Sequence, residues 1–164
     1  MKFTGTVWRY IPASGDVLDV GAILSAAGRW NRWEQYGCLY TALTRAGAIA
    51  EYEKVRRAYK DFGVPRGRPK DLVSIEVQVH PVLDLTDRRM RRTLGVSLSM
   101  ITGDDDGDLE TCRQLADLAR AKGYRAILSP SAALSGSCNL NIYIDGRASD
   151  LRIAKGTHRE RLPG

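Results

Sequence analysis

Between Leu72 and Val79 apolar and polar residues alternate, with Val73, Ile75, Val77 and Val79 set against Ser74, Glu76 and Gln78. A period of two sends successive side chains to opposite faces of a pleated strand, so the segment is expected to be a strand with one buried face and one open face. Such a strand needs partners, and the chain supplies them. Thr4 to Ile11 carries Val7 among aromatic and β-branched neighbours before the break at Pro12-Ala13-Ser14-Gly15, which puts Arg9 and Tyr10 near a strand end. Cys38 to Ala42 and Tyr124 to Leu128 read as short strands, and Leu140, Ile142 and Ile144 alternate up to a turn at Asp145-Gly146.

Helical spacing fills the gaps. After a short apolar segment at Val17 to Ala27, a helix begins beyond Leu43, with Ile49, Tyr52, Val55, Tyr59 and Phe62 three or four apart and a stop at Gly63 and Pro65. Thr86 or Asp87 can cap a short basic helix through Leu94. Asp108 can cap a longer one whose stripe is Leu109, Cys112, Leu115, Ala116 and Ala119 and which Gly123 ends. Strands with interspersed helices predict an α+β fold on a mostly antiparallel sheet. At 164 residues and 43% hydrophobic, the chain can bury its own core, and one domain over residues 1–164 is expected.

Twenty-five Lys and Arg against nineteen Asp and Glu give a formal charge of +6, which favours anionic partners without choosing among them. Cys38, Cys112 and Cys138 are odd in number and far apart, which suits a reducing cytosol. No secretion signal or apolar run of the ~20 residues needed to span a bilayer is visible, so a cytoplasmic location is expected, with no membrane partner. His80 and His158 are too isolated for a metal site, and Asp104-Asp105-Asp106-Gly107-Asp108 has its glycine misplaced for a calcium loop. That acidic run reads as a solvated turn. No Walker motif or Gly-x-Gly-x-x-Gly turn is present.

The loop from Gly28 to Gly37, Gly-Arg-Trp-Asn-Arg-Trp-Glu-Gln-Tyr-Gly, combines glycine for close backbone approach, arginine for phosphate and aromatic faces for stacking. Those properties suit a dinucleotide, and equally a surface loop whose tryptophans pack on the core. The order of motifs around it is more specific. Gly28-Arg29-Trp30-Asn31, then Leu39-Tyr40-Thr41-Ala42, then Ala48-Ile49-Ala50-Glu51, Val82-Leu83-Asp84-Leu85-Thr86, Pro130-Ser131 and Asn139-Leu140 resemble, in sequence order, the RES domain family of bacterial toxins and related proteins. The likeness runs from Trp8 to about Asp145. This chain departs from the family in having Ala27-Gly28 for two glycines, bulky Arg32, Trp33 and Glu34 after Asn31, and Ser129 where an aromatic is common.

The resemblance implies an ADP-ribosyltransferase-like fold with a split sheet, which binds NAD⁺ as a substrate, with no cofactor, and cleaves its nicotinamide–ribose bond. By position it implies that Arg29 holds the pyrophosphate, Tyr40 stacks near the nicotinamide, Glu51 faces the ribose and Ser131 hydrogen-bonds the nicotinamide or ribose. Arg9, Tyr10, Trp30, Asn31 and Asn139 are further binding candidates. It also implies an antitoxin protein that blocks the pocket. The chemistry is coherent, because departure of nicotinamide leaves an oxocarbenium-like ribose that a carboxylate can stabilise. Water as acceptor gives ADP-ribose, inorganic phosphate a phosphorylated product, and a protein side chain ADP-ribosylation. The bland reading of Glu51 is an exposed helix carboxylate paired with Lys54 or Arg56.

A reading from another class is a DNA-binding module. Arg66-Gly67-Arg68-Pro69-Lys70 resembles an AT-hook core, whose arginines enter the minor groove. Such hooks sit in disordered tails, whereas this one joins a helix to a strand, so a solvated basic turn is expected.

Overall fold

The computed structural model describes residues 1–18, 23, 28–32, 35–63, 68–144 and 151–164. In chain order the elements are β1 (Phe3–Pro12), β2 (Gly37–Ala42), α1 (Arg45–Asp61), β3 (Lys70–Val79), β4 (Val82–Asp84), α2 (Arg88–Thr93), α3 (Leu98–Thr102), α4 (Asp106–Ala121), β5 (Ala126–Pro130), β6 (Cys138–Ile144) and β7 (Leu151–Arg161). The fold is α+β. Among the described residues the strands form one seven-stranded sheet in the order β4-β5-β6-β2-β1-β3-β7, antiparallel except for the parallel β4–β5 pair.

The sheet is split in its middle. β1 follows β3 over ten residue pairs and β2 follows β6 over six, yet β1 and β2 share only the pair Trp8–Ala42. Alternation then sorts the side chains. One face carries a single apolar cluster built from Val7, Ile11, Leu39, Val73, Ile75, Val77, Leu140 and Ile142. On the other face, apolar packing divides with the sheet. α3 and α4 cover one half through Ile101, Cys112, Leu115, Ala116 and Ala119 against Cys38, Ile127 and Tyr143. α1 covers the other through Ala48 and Tyr52 against Leu72, with Trp8 and Tyr10 beside them.

The alternation at 72–79 makes β3 a strand, but its open face is shorter than the pattern predicts. Glu76 is exposed, whereas Ser74 is buried because β7 lies against it, and the His158 amide donates to Ser74 Oγ at 3.1 Å. β7 itself has no apolar alternation beyond Ile153 to mark it, and sequence reasoning misses it.

Helix ends also shift. Asp105, not Asp108, caps α4, its side chain accepting from the Asp108 amide at 2.7 Å, so the helix starts a turn early. Asp87 caps α2, and the short α3 was not foreseen. The apolar stripe of α1 is buried only in its first half. Val55, which borders the cavity described below, and Tyr59 and Phe62 toward the helix C-terminus are 37%, 50% and 85% exposed. Pro65, Arg66, Gly67 and the Asp145-Gly146 turn lie outside the described residues, as does most of the Val17 to Ala27 segment. Lys70 already pairs with Pro12 as the first residue of β3, so the hook-like sequence runs into the sheet. Among the described residues no helix is long and apolar enough to cross a membrane.

Candidate active site

A cavity of about 430 Å³ opens on the helical face, where the sheet splits. Residues two apart on each strand point the same way, so Trp8 and Tyr10 of β1, Tyr40 and Ala42 of β2, Ser129 of β5, and Asn139 and Asn141 of β6 line it together. α1 contributes Ala48, Glu51 and Lys54, and the loop before β2 contributes Gly28, Arg29 and Trp30. The volume falls within the roughly 300–1,000 Å³ usual for ligand pockets.

Glu51, on the second turn of α1, faces inward. Its Oε1 accepts from Asn139 Nδ2 at 2.8 Å and from Ser131 Oγ at 3.0 Å, while among the described residues nothing donates to Oε2. Neither Lys54 nor Arg56 pairs with it. Arg56 takes Glu53 at 3.2 Å and Lys54 takes Asp104 at 2.8 Å. Ser131 does not line the cavity. It is buried, its Oγ accepts the Ala133 and Leu134 amides at 3.1 Å each, and its proton goes to Glu51, so it fixes the carboxylate from behind.

Arg29 reaches the cavity from the loop before β2. Its Nη1 donates to the carbonyls of Ile101 and Gly103, and its Nη2 meets Asp104 Oδ1 at 2.6 Å. The loop that carries it is braced by Tyr40, whose hydroxyl accepts the Trp30 amide at 2.8 Å and donates to Asn31 Oδ1 at 2.7 Å. Asn31 in turn donates to the Tyr36 carbonyl at 3.2 Å. Gly28 is required here, since a Cβ at that position would sit 2.5 Å from the Tyr40 oxygen. The glycine thus admits a tyrosine from the same chain. Burial, together with the nearby Cys38, drives the Tyr40 hydroxyl far above its ordinary range, so it stays a neutral donor.

The other five sequence candidates divide between the cavity wall and the packing behind it. Arg9, Tyr10 and Asn139 line the cavity, and burial with the Glu51 charge pushes the Tyr10 hydroxyl up to about 12. Trp30 is only 2% exposed and belongs to the core under α4, so its ring anchors the loop. Asn31 is buried behind Tyr40 and does not line the cavity. Arg32 turns away to Glu110 and Asp117 of α4, at 2.8 Å each, and does not narrow the mouth. Trp33 and Glu34 lie outside the described residues.

Sequence reasoning missed Lys54, Asn141, Ser129 and Asp104. Lys54 stands three residues after Glu51 and Asn141 two after Asn139, spacings that put each on the face of its neighbour in a helix and a strand, so a signal existed. Asn141 Nδ2 donates to Ser129 Oγ at 3.0 Å and to the Ile127 carbonyl at 3.1 Å. The Oδ1 atoms of Asn139 and Asn141 are buried without a hydrogen-bond partner, a costly state for amide oxygens beside a cavity.

A split-sheet cavity lined by an inward glutamate and a loop arginine from separate elements has the size and polar lining typical of small-molecule sites. The model of the RES domain matches residues 6–163, and the chain belongs to that family. The chain is 31% identical over 140 residues to a probable NAD(+) phosphorylase of Mycobacterium tuberculosis, a match that covers 85% of this chain and 65% of the relative's length. Among solved structures it is similar to the MbcT–MbcA toxin–antitoxin complex of M. tuberculosis, with a TM-score of 0.72 at 23% identity, covering 98% of this chain and 85% of that one. That likeness supports the α+β fold.

Proposed function

We propose that this chain degrades NAD⁺ by cleaving the bond between nicotinamide and ribose. The observation that carries the reading is Glu51, held through Oε1 by Ser131 and Asn139 at the wall of a cavity that Arg29 also lines. A carboxylate fixed in advance is placed to stabilise positive charge that develops on a ribose, and its cost of orientation is met by folding. The arginine suits a pyrophosphate, and the unpartnered amide oxygens of Asn139 and Asn141 suit the N–H groups or hydroxyls of a ligand. In the step itself the C1′–N1 bond breaks, its electron pair goes to the nicotinamide ring nitrogen, and an acceptor oxygen bonds to C1′ and releases its proton to solvent.

Inorganic phosphate is the favoured acceptor, because the relative at 31% identity carries the name of a phosphorylase. Nicotinamide and a phosphorylated ADP-ribose are then the products. A protein that covers the cavity mouth is the expected regulator, by analogy with the toxin–antitoxin complex of similar fold. Purified chain incubated with NAD⁺, with and without inorganic phosphate, tests the reading. Nicotinamide release that accelerates with phosphate and yields the phosphorylated product is expected. Release of ADP-ribose alone would make water the acceptor, and no loss of NAD⁺ in either condition would overturn the reading.

A further inference from the structure

Asp104 is the shared counter-ion of two cations that line the cavity. It lies in the turn between α3 and α4, and two cations from distant elements converge on it. Arg29 Nη2 reaches Oδ1 at 2.6 Å, and Lys54 Nζ reaches Oδ1 at 2.9 Å and Oδ2 at 2.8 Å. Both cations line the cavity, whereas Asp104 does not and its side chain is 60% exposed. Burial would raise its carboxyl, but Lys54 and then Arg29 outweigh this and hold it below its ordinary value.

We propose that Arg29 and Lys54 together form a phosphate-binding cradle, in which Asp104 is a resident competing anion that an incoming phosphate or diphosphate displaces. The inference rests on the proposed NAD⁺ chemistry for its ligand and on the geometry for its residues. Lys54 stands one helical turn after Glu51, so the same face of α1 presents the carboxylate meant for ribose and an ammonium a few ångströms along the cavity wall. Arg29 does not need Asp104 to stay in place, since its other nitrogen is anchored on the Ile101 and Gly103 carbonyls. The exposed carboxylate is the removable member of the trio. Exposed ion pairs are weak and screened by salt, and a phosphate brings more charge and more acceptor oxygens than one carboxylate.

Calorimetry on the full chain tests this without requiring turnover, with inorganic phosphate and ADP-ribose as separate probes and Lys54→Ala, Lys54→Arg and Asp104→Asn as variants. Removing the competitor in Asp104→Asn should tighten at least one probe by roughly three- to tenfold, and Lys54→Ala should weaken the same probe by roughly as much, with Lys54→Arg close to the parent. A response of ADP-ribose alone assigns the cradle to the dinucleotide's diphosphate, and a response of inorganic phosphate alone to the acceptor. Tighter binding cannot arise from a damaged fold, which keeps Asp104→Asn informative. Affinities within twofold of the parent for both probes in Lys54→Ala and Asp104→Asn would overturn the cradle, as would weaker binding in Asp104→Asn. NAD⁺ loss by the parent chain separately judges the reading beneath it, so either can fail alone.

Discussion

Glu51 and Glu53 lie two residues apart on one helix and have different environments. Glu53 pairs with Arg56 near solvent, whereas Glu51 takes hydrogen bonds from two side chains 80 and 88 residues away. Distant donors converging on one carboxylate oxygen are the mark of a built site rather than of helix surface chemistry. The same holds for Tyr40, whose hydroxyl is spent on the arginine loop. Tyr40→Phe leaves the Trp30 amide without its acceptor and should cost about 1–3 kcal/mol of stability. Gly28→Ala forces the ring away and should cost a similar ~1–3 kcal/mol by overpacking. Thermal melts of both variants check this, and at about 2–4 °C per kcal/mol for a chain of this size the loss is readily measured. Unchanged melting of Gly28→Ala would show that the loop does not depend on the tyrosine.

At the scale of elements, the segments that sequence made legible are those whose partners are apolar. The alternation of β3, the stripe of α4 and the strand of β6 are each written in side chains that meet the core. β7 is different. Its sequence from Leu151 is mostly charged or small, and it is held by backbone pairing with β3 and by Asp71, a buried carboxylate that accepts from Arg159 at 2.9 Å, Arg161 at 2.6 Å and the Ser14 amide at 2.9 Å. No local pattern encodes such a clamp. Asp104 was illegible for a related reason, since its neighbours in sequence are acidic and its partners lie 50 and 75 residues away. The hydrogen bond donated by the Ser14 backbone amide, followed by that from Arg161, lowers the Asp71 carboxyl to about 2, against an unfolded value near 3.9. A depressed folded pKa contributes stability that is fully present above about pH 4 and is lost as pH falls toward 2. Asp71→Asn should therefore lower the melting temperature at pH 7 by roughly 5–10 °C, from a loss of about 2–3 kcal/mol, and flatten the acid limb between pH 4 and 2. An acid limb identical to the parent's would remove Asp71 from this role.

For the whole molecule, the split between β1 and β2 is what turns a sheet into a site. A continuous ladder there would bring the two halves together, and α1 and α4 would pack over one face without a gap. With only Trp8–Ala42 joining them, the helical layer divides into two clusters and the cavity lies between. The family motifs lie around this gap, which is why their order in the sequence carried so much. Arg29, Tyr40, Glu51 and Asn139 reach the cavity wall from four elements, with Ser131 behind Glu51. Asn31 instead serves the loop's own packing, and Trp30, at the cavity's edge, is otherwise sunk in the core, a division that residue types could not reveal.

In the proposed reaction Glu51 acts on the bond being broken rather than on the binding of the dinucleotide, and one paired measurement on Glu51→Gln tests this. Pyrophosphate is anionic before the reaction begins, whereas positive charge on the ribose grows only as nicotinamide departs, so a carboxylate facing the ribose is spent mainly on kcat. NAD⁺ loss by Glu51→Gln should fall by about 10²–10³, the usual worth of one preorganised electrostatic group, while ADP-ribose affinity by calorimetry stays within a few-fold of the parent. A variant that consumed NAD⁺ at the parent rate would return Glu51 to the reading of an ordinary helix carboxylate.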